Sequence, residues 1–226
     1  MDIFPFLKLG LFWWLLPLAV LAGILRSPWV KGIVGELLVR FSARLFLDNS
    51  EYRSLHNIIL PTIDSTTQID HIFVSRYGIF VVETKNLSGW IFDGEKQETW
   101  TQKLYRKTYK IQNPLRQNFR HIKALGEVLG LPTDKFHSLV VFTGGSTFKT
   151  AVPPNVTYLG GLVGYVKSKK DILLSPQEIE VILQKIEVKR LKPSFATTRK
   201  HIRHIEYKRY AENSRLSSSK QQQGLF

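Results

Sequence analysis

The sequence predicts a mixed α/β domain with helices packed on a central sheet. Three observations carry this. Ile79-Phe80-Val81-Val82 is continuously apolar and β-branched or aromatic, the pattern of a strand buried on both faces. Asn113-Pro114 and Ser175-Pro176 each read as a cap followed by proline at the first helical position. The elements then follow in the order helix, strands, helix, strand, strand, helix.

The first of these helices is expected over roughly 33–46, where Ile33, Leu37, Phe41 and Leu45 recur every four residues with Val34 and Leu38 beside them. Glu36 lies off that stripe. A strand over 51–60 contains Ile58-Ile59-Leu60, and 61–67 reads as a polar, turn-rich loop. Two strands then meet near Tyr77-Gly78. A smaller hairpin is written by Trp90-Ile91-Phe92 and Thr99-Trp100-Thr101 about Asp93-Gly94.

The Asn113-capped helix should run to about Leu129, ended by Gly130 and Pro132, with Leu115, Phe119, Ile122 and Leu125–Leu129 as its apolar face. Gln117 and His121 are i, i+4 neighbours on another face. A buried strand follows at 138–143, then a short one at 155–159. Ser175-Pro-Gln-Glu178 matches a capping box for a helix to about Val188. Beyond Pro193 the chain turns polar, basic and Ser/Gln-rich, as disordered segments do.

The chain has no cysteine, which excludes disulfides, cysteine-based zinc sites and thiol catalysis. Its net charge is +14 over 226 residues, which favours a polyanionic partner, nucleic acid or an anionic membrane surface. More than half of the excess lies beyond residue 184, where eleven Lys and Arg face three Glu.

Leu9 to Leu25 is 17 residues without a charge, bounded by Lys8 and Arg26. As a helix it spans about 26 Å, near the lower limit for a bilayer core. Trp13, Trp14 and Trp29 are candidate interface aromatics, and Pro17 is tolerated in membrane helices. The segment is expected to be a membrane anchor rather than a cleaved signal peptide or a core helix. Arg26, Lys31, Arg40 and Arg44 follow it, against Lys8 offset by Asp2 before it, so the bulk of the chain is expected in the cytoplasm as a single-pass protein.

The candidate chemistry lies at the end of the buried strand, which runs into Glu83-Thr84-Lys85-Asn86. Side chains alternate along a strand, so Glu83 and Lys85 share a face. An acid and a lysine there are costly unless they are used. If the two strands pair about Tyr77-Gly78, Asp70 returns close to Glu83. Two carboxylates suit a hard divalent cation such as Mg²⁺ or Mn²⁺, and a neighbouring lysine can orient a water or stabilise charge on phosphorus. Each residue also has a plainer reading. Glu83 and Lys85 can form a solvated ion pair, Asp70 can cap a turn, Glu36 can pair with Arg40, and Gln117 can bond His121. His71 reads as a satisfied, partly buried histidine, and Trp90 and Trp100 as core residues rather than a base-stacking platform.

Six separated motifs occur in order: Gly35-Glu36; Gln68-Ile-Asp70-His71; Tyr77-Gly78-Ile-Phe-Val-Val-Glu83-Thr-Lys85-Asn86; Gly89-Trp-Ile91; Gly94 with Trp100; and Asn113-Pro-Leu-Arg-Gln117. Over residues 31–145 the chain resembles the nuclease-related domain (NERD) family, which is similar to the PD-(D/E)xK restriction-endonuclease-like superfamily. The resemblance implies a restriction-endonuclease-like mixed central sheet flanked by helices. It also implies Asp70 and Glu83 as metal ligands, Lys85 as catalytic lysine, Glu36 as the helix-borne acid and Gln117 as a helix residue near the site.

The expected organisation is an anchor over 1–30, the nuclease-related core over 31–145, a strand and helix completing the domain over 146–192, and a basic tail over 193–226. Lys103, Arg106, Lys107, Lys110, Arg116 and Arg120, together with Lys123, form a basic run interleaved with Tyr105, Tyr109 and Phe119, a candidate phosphate-binding face. The leading expectation is a membrane-anchored, Mg²⁺- or Mn²⁺-dependent nuclease acting on DNA, with RNA as a second substrate class. The alternatives are a catalytically silent module that binds nucleic acid at the membrane, and a structural membrane protein whose basic tail binds lipid.

Overall fold

The computed structural model describes residues 4–62, 65–94 and 97–191, with side chains from residue 15 onward. The elements are α1 (Phe4–Leu25), α2 (Pro28–Phe46), β1 (Arg53–Pro61), β2 (Thr66–Ser75), β3 (Gly78–Lys85), β4 (Gly89–Phe92), β5 (Thr99–Leu104), β6 (Lys107–Gln112), α3 (Pro114–Leu129), β7 (Phe136–Phe142), β8 (Ser146–Phe148), β9 (Val156–Tyr158), α4 (Leu162–Ser168) and α5 (Pro176–Lys189). The basic tail expected over 193–226 lies outside the described residues. The fold is mixed α/β, with two mixed sheets and flanking helices. One has the order β1-β2-β3-β7-β9, the other β6-β5-β4-β8. The sequence suggested one central sheet; the second arises because β6 and β8 extend the small hairpin of β4 and β5.

The chain divides into two compact units. The first holds Met1–Asp48, Glu83–Leu115 and Leu139–Ser168, the second Asn49–Val82, Arg116–Ser138 and Lys169–Phe226. The strands β3 and β7 each contribute residues to both.

In the second unit, β1 and β2 pair antiparallel, as do β2 and β3. The β2–β3 register runs from Ser75 opposite Gly78 to His71 opposite Val82. Gly78 takes φ +115°, open only to glycine at little cost, and this closes the turn at Arg76-Tyr77. Ile58, Ile69, Ile72, Val81, Leu125 and Ile182 lie in one buried cluster built from β1–β3, α3 and α5. α5 begins with the expected capping box: Ser175 N donates to Glu178 Oε2 at 2.7 Å, and Glu178 N donates to Ser175 Oγ at 3.3 Å.

In the first unit, the inner face of the four-stranded sheet packs Ile91 and Trp100 against Val140 and Phe142 of β7 and Val156 of β9. Trp100 stacks on Phe142 with centroids 6.3 Å apart. Asn113 Nδ2 donates to Gln97 O at 2.7 Å, and its Oδ1 accepts from Leu115 N at 2.9 Å, capping α3 as the sequence suggests.

Three expectations about helix and strand faces are corrected. α2 starts at Pro28, not near Ile33, because Ser27 Oγ accepts from Val30 N and Pro28 takes the first turn. It buries Gly35, Val39 and Ala43, while the stripe Ile33, Leu37, Phe41 and Leu45 is exposed. The small face wins because only it admits a close backbone approach: a Cβ on Gly35 would meet Thr143 Oγ1 at 2.7 Å and Asn86 Cβ at 3.0 Å. On α3, Phe119 is 52% exposed, with Lys123 Nζ 5.1 Å from its ring centroid. Asn118 is turned inward instead and donates to Val81 O and Ser138 Oγ, both at 2.8 Å. Trp90, read as core, is 47% exposed, because Ile91 takes the inward position on β4.

Candidate active site

The strand β3 is buried from Gly78 to Glu83 and becomes half-buried at Thr84 and Lys85. Glu83 is 2% exposed, and its Oε1 lies 2.7 Å from Lys85 Nζ. The i, i+2 spacing on an extended strand puts both on one face, as the alternation requires. This is not the solvated pair of the plainer reading. A carboxylate removed from water this completely is held charged only by an ammonium or by strong donors.

Within the same unit, α2 is fastened to the strand end that carries this pair. Gly35 sits against Thr84, Asn86 and Thr143, and Asn86 Nδ2 donates to Lys31 O at 2.6 Å. The backbone of β3 is tied onward to β7 by Thr143 N donating to Lys85 O at 3.0 Å. Glu36, half-buried, follows Gly35 on this helix.

In the second unit, Asp70 is half-buried on β2, immediately before His71. The β2–β3 pairing about Tyr77-Gly78 is the one the sequence suggests, and its register runs out to His71 opposite Val82. On α3, Gln117 Nε2 lies 3.4 Å from His121 Nε2, and His121 Nδ1 lies 2.7 Å from Thr67 Oγ1. This chain of contacts connects the Gln117 helix to β2 three residues before Asp70. His71, read from the sequence as partly buried, is fully buried and shares a 2.8 Å hydrogen bond with His56 through their Nδ1 atoms. Among the described residues, no group of three or more His, Asp or Glu is arranged to hold a metal ion.

The candidate nucleic-acid residues fall into two sets. Lys103, Arg106, Lys107 and Lys110 belong to the β5–β6 hairpin in the first unit; Arg116 and Arg120 lie exposed on α3 in the second. In the hairpin, Trp100 points into the core, so Thr101 and Lys103 point outward. Lys103 pairs with Trp90 and Lys110 with Thr101, so both lysines share the outer face of the sheet. Lys110 Nζ donates to Thr101 Oγ1 at 2.8 Å. Trp90 lies there between Lys103 Nζ at 5.7 Å and Lys149 Nζ at 4.7 Å from its ring centroid. Sequence reasoning missed Lys149, which stands 59 residues from Trp90 and reaches it only through the parallel pairing of β4 with β8.

A family model described as the nuclease-related domain matches residues 31–143. The chain is also similar to an uncharacterized protein of Bacillus anthracis, 37% identical over 164 residues that cover 70% of this chain and 76% of that protein. No solved structure matches the chain. The matched span contains all five candidate site residues and the six ordered motifs, and the chain belongs to the nuclease-related domain family.

Proposed function

We propose that this chain is a membrane-anchored, metal-dependent nuclease of restriction-endonuclease-like fold that hydrolyses phosphodiester bonds of DNA, with RNA as a second substrate class. The observation that carries the proposal is the buried Glu83 carboxylate, 2.7 Å from the Lys85 ammonium at the end of a buried strand. Burying a carboxylate this deeply carries a desolvation cost that an ion pair alone often fails to offset, and this pair lies within the nuclease-related span.

Asp70 and Glu83 are the carboxylates that would hold Mg²⁺ or Mn²⁺. Their hard oxygen donors fit such an ion, which needs only one or two protein carboxylates because phosphate oxygens and water complete its shell. When bound, the ion supplies neutralisation of phosphate charge and acidifies a water. Lys85 would orient the attacking water or balance charge developing on the phosphate oxygens. Glu36 and Gln117 would position these groups from α2 and α3.

Nucleic acid would run over the outer face of the four-stranded sheet. That face carries Lys103, Lys110 and Lys149 around the exposed Trp90, and its outward strand positions carry no acid. Lysines supply phosphate attraction and an exposed indole supplies a stacking surface. Arg106 and Lys107 at the hairpin tip, and Arg116 and Arg120 on α3, would add phosphate contacts. α1, uncharged from Leu9 to Leu25, would be the anchor, with the rest of the chain cytoplasmic.

The test is cleavage of plasmid DNA by the purified full chain on adding Mg²⁺ or Mn²⁺, stopped by a chelator. Salt-sensitive binding of the same DNA with no cleavage in either metal would favour the second reading, a silent nuclease-fold module that holds nucleic acid at the membrane.

A further inference from the structure

The nuclease reading leaves the exposed face of α2 unused. At about 100° per residue, Ile33, Leu37, Phe41, Val34, Leu45 and Leu38 cover an arc of about 140°. All of them are exposed, Phe41 at 65% and Leu45 at 59%. A contiguous apolar face of this kind marks an interaction surface. The buried face of the same helix, Gly35, Val39 and Ala43, is already occupied.

Charge identifies the occupant. Arg40 lies about 20° beyond the Ile33 end of the arc and Lys31 about 20° beyond the Leu38 end, with Arg44 about 20° inside the Ile33 end. Glu36, the one acid of α2, lies about 100° from Leu37, outside the arc. An apolar stripe edged by cations is the signature of a helix lying in the headgroup region of an anionic bilayer, with long basic side chains reaching to phosphate.

α1 ends at Leu25, three residues before α2 begins, and Leu16, Leu18, Leu21 and Leu25 of α1 are each more than half exposed. Among the described residues no single helix is long and apolar enough to cross a membrane, but the stretch Leu15–Leu25 with α2, bent by 59°, passes by length and composition as a pair. A tilt of α1 of about 30°, inside the usual range, lays α2 in the plane of the interface.

We infer that α2 is an interfacial helix whose Ile33–Leu37–Phe41–Leu45 face docks on an anionic lipid surface. This rests on the reading of α1 as a membrane anchor. α2 then forms the layer between lipid and the strand end that bears Glu83 and Lys85. The pair is set about one helix diameter, roughly 10 Å, from the headgroups.

The chain has no cysteine, so single-cysteine variants can be spin-labelled without removing any native thiol. The full chain carrying Leu37→Cys or Phe41→Cys, and Ser42→Cys as the off-stripe comparison, is reconstituted with phosphatidylcholine–phosphatidylglycerol vesicles. The expected result is co-flotation with the vesicles. Labels at 37 and 41 should lose about fivefold in accessibility to an aqueous paramagnetic reagent and gain accessibility to oxygen, and the label at 42 should not. Co-flotation with water-accessible labels at 37 and 41 overturns the docking of α2 and leaves the anchor standing. Failure to float overturns the anchor and the inference together. Protection of 37 and 41 before vesicles are added assigns the face to a protein contact and overturns the inference.

Discussion

Lys85 Nζ and Glu83 Oε1 lie 2.7 Å apart on one face of β3, with the carboxylate buried and the ammonium at the edge of solvent. Removing Lys85 therefore acts on folding. Lys85→Met is expected to cost about 3–5 kcal/mol, because it takes the ammonium from a carboxylate that water cannot reach. In a double-mutant cycle by chemical denaturation, Glu83→Gln with Lys85→Met should cost well under the sum of the two single changes. Strict additivity would show that the pair does not interact.

Gly35 should tolerate no side chain. The Cβ of Gly35→Ala would lie 2.7 Å from Thr143 Oγ1, 3.0 Å from Asn86 Cβ and 3.4 Å from Thr84 Cγ2. Asn86 Cβ is set by its own backbone and cannot rotate away, so α2 must give way. We expect a loss of about 1–3 kcal/mol, read as a lower midpoint in urea, and reduced activity because Glu36 moves with the helix. Gly32→Ala, with nothing within 4 Å of the new Cβ, is the control and should be close to neutral.

The two tryptophans of the small sheet should separate by function. Trp100→Ala opens the core against Phe142 and Phe148 and is expected to destabilise by about 3–5 kcal/mol. Trp90→Ala, on the exposed lysine face, should leave the melting temperature nearly unchanged. It should weaken binding of single-stranded DNA by about 1–3 kcal/mol, the scale of one lost base stack. Fluorescence anisotropy at fixed salt measures the second effect.

Much of this arrangement was legible in the sequence because local chemistry wrote it. The β2–β3 hairpin follows from an apolar run broken at Tyr77-Gly78, and α3 and α5 follow from their caps. β6 was not legible: Lys107–Gln112 is polar and mostly exposed, and its turn places Tyr105 at φ +52° in place of the Asn-Gly that would announce a hairpin. Faces were harder than elements. The four-residue repeat of α2 pointed to a core that the helix does not form, because burial there is decided by how closely Gly35 lets the backbone approach. Phe119 lost its inward place to Asn118 for the sake of the Val81 carbonyl, a requirement visible only in three dimensions. Glu83 and Lys85 were legible together because strand alternation alone brings them to one side.

Acid should loosen the second unit through His137. Its pKa is lowered from 6.5, chiefly because burial disfavours the cation, although the hydrogen bond from Nε2 to Tyr77 O at 2.8 Å opposes this. The unfolded chain then binds the proton more readily than the folded one. The stability this ring contributes is complete above about pH 6.5 and is lost as pH falls through the lower, folded value. The melting temperature should fall between pH 7 and pH 5, and the fall should shrink in His137→Gln. An unchanged pH profile in that variant would assign the acid sensitivity elsewhere.

The central claim is that Glu83 serves metal-dependent phosphodiester hydrolysis. It is tested most directly by the rate at which the full chain nicks supercoiled plasmid in Mn²⁺, wild type against Glu83→Gln, at a temperature where both are folded. Chelator-sensitive nicking by the wild type is expected, with a loss of about 100-fold or more in the variant, the scale of removing one charge-stabilising group from an active site. Equal rates in the two proteins, or nicking by the wild type that persists in excess chelator, would contradict it.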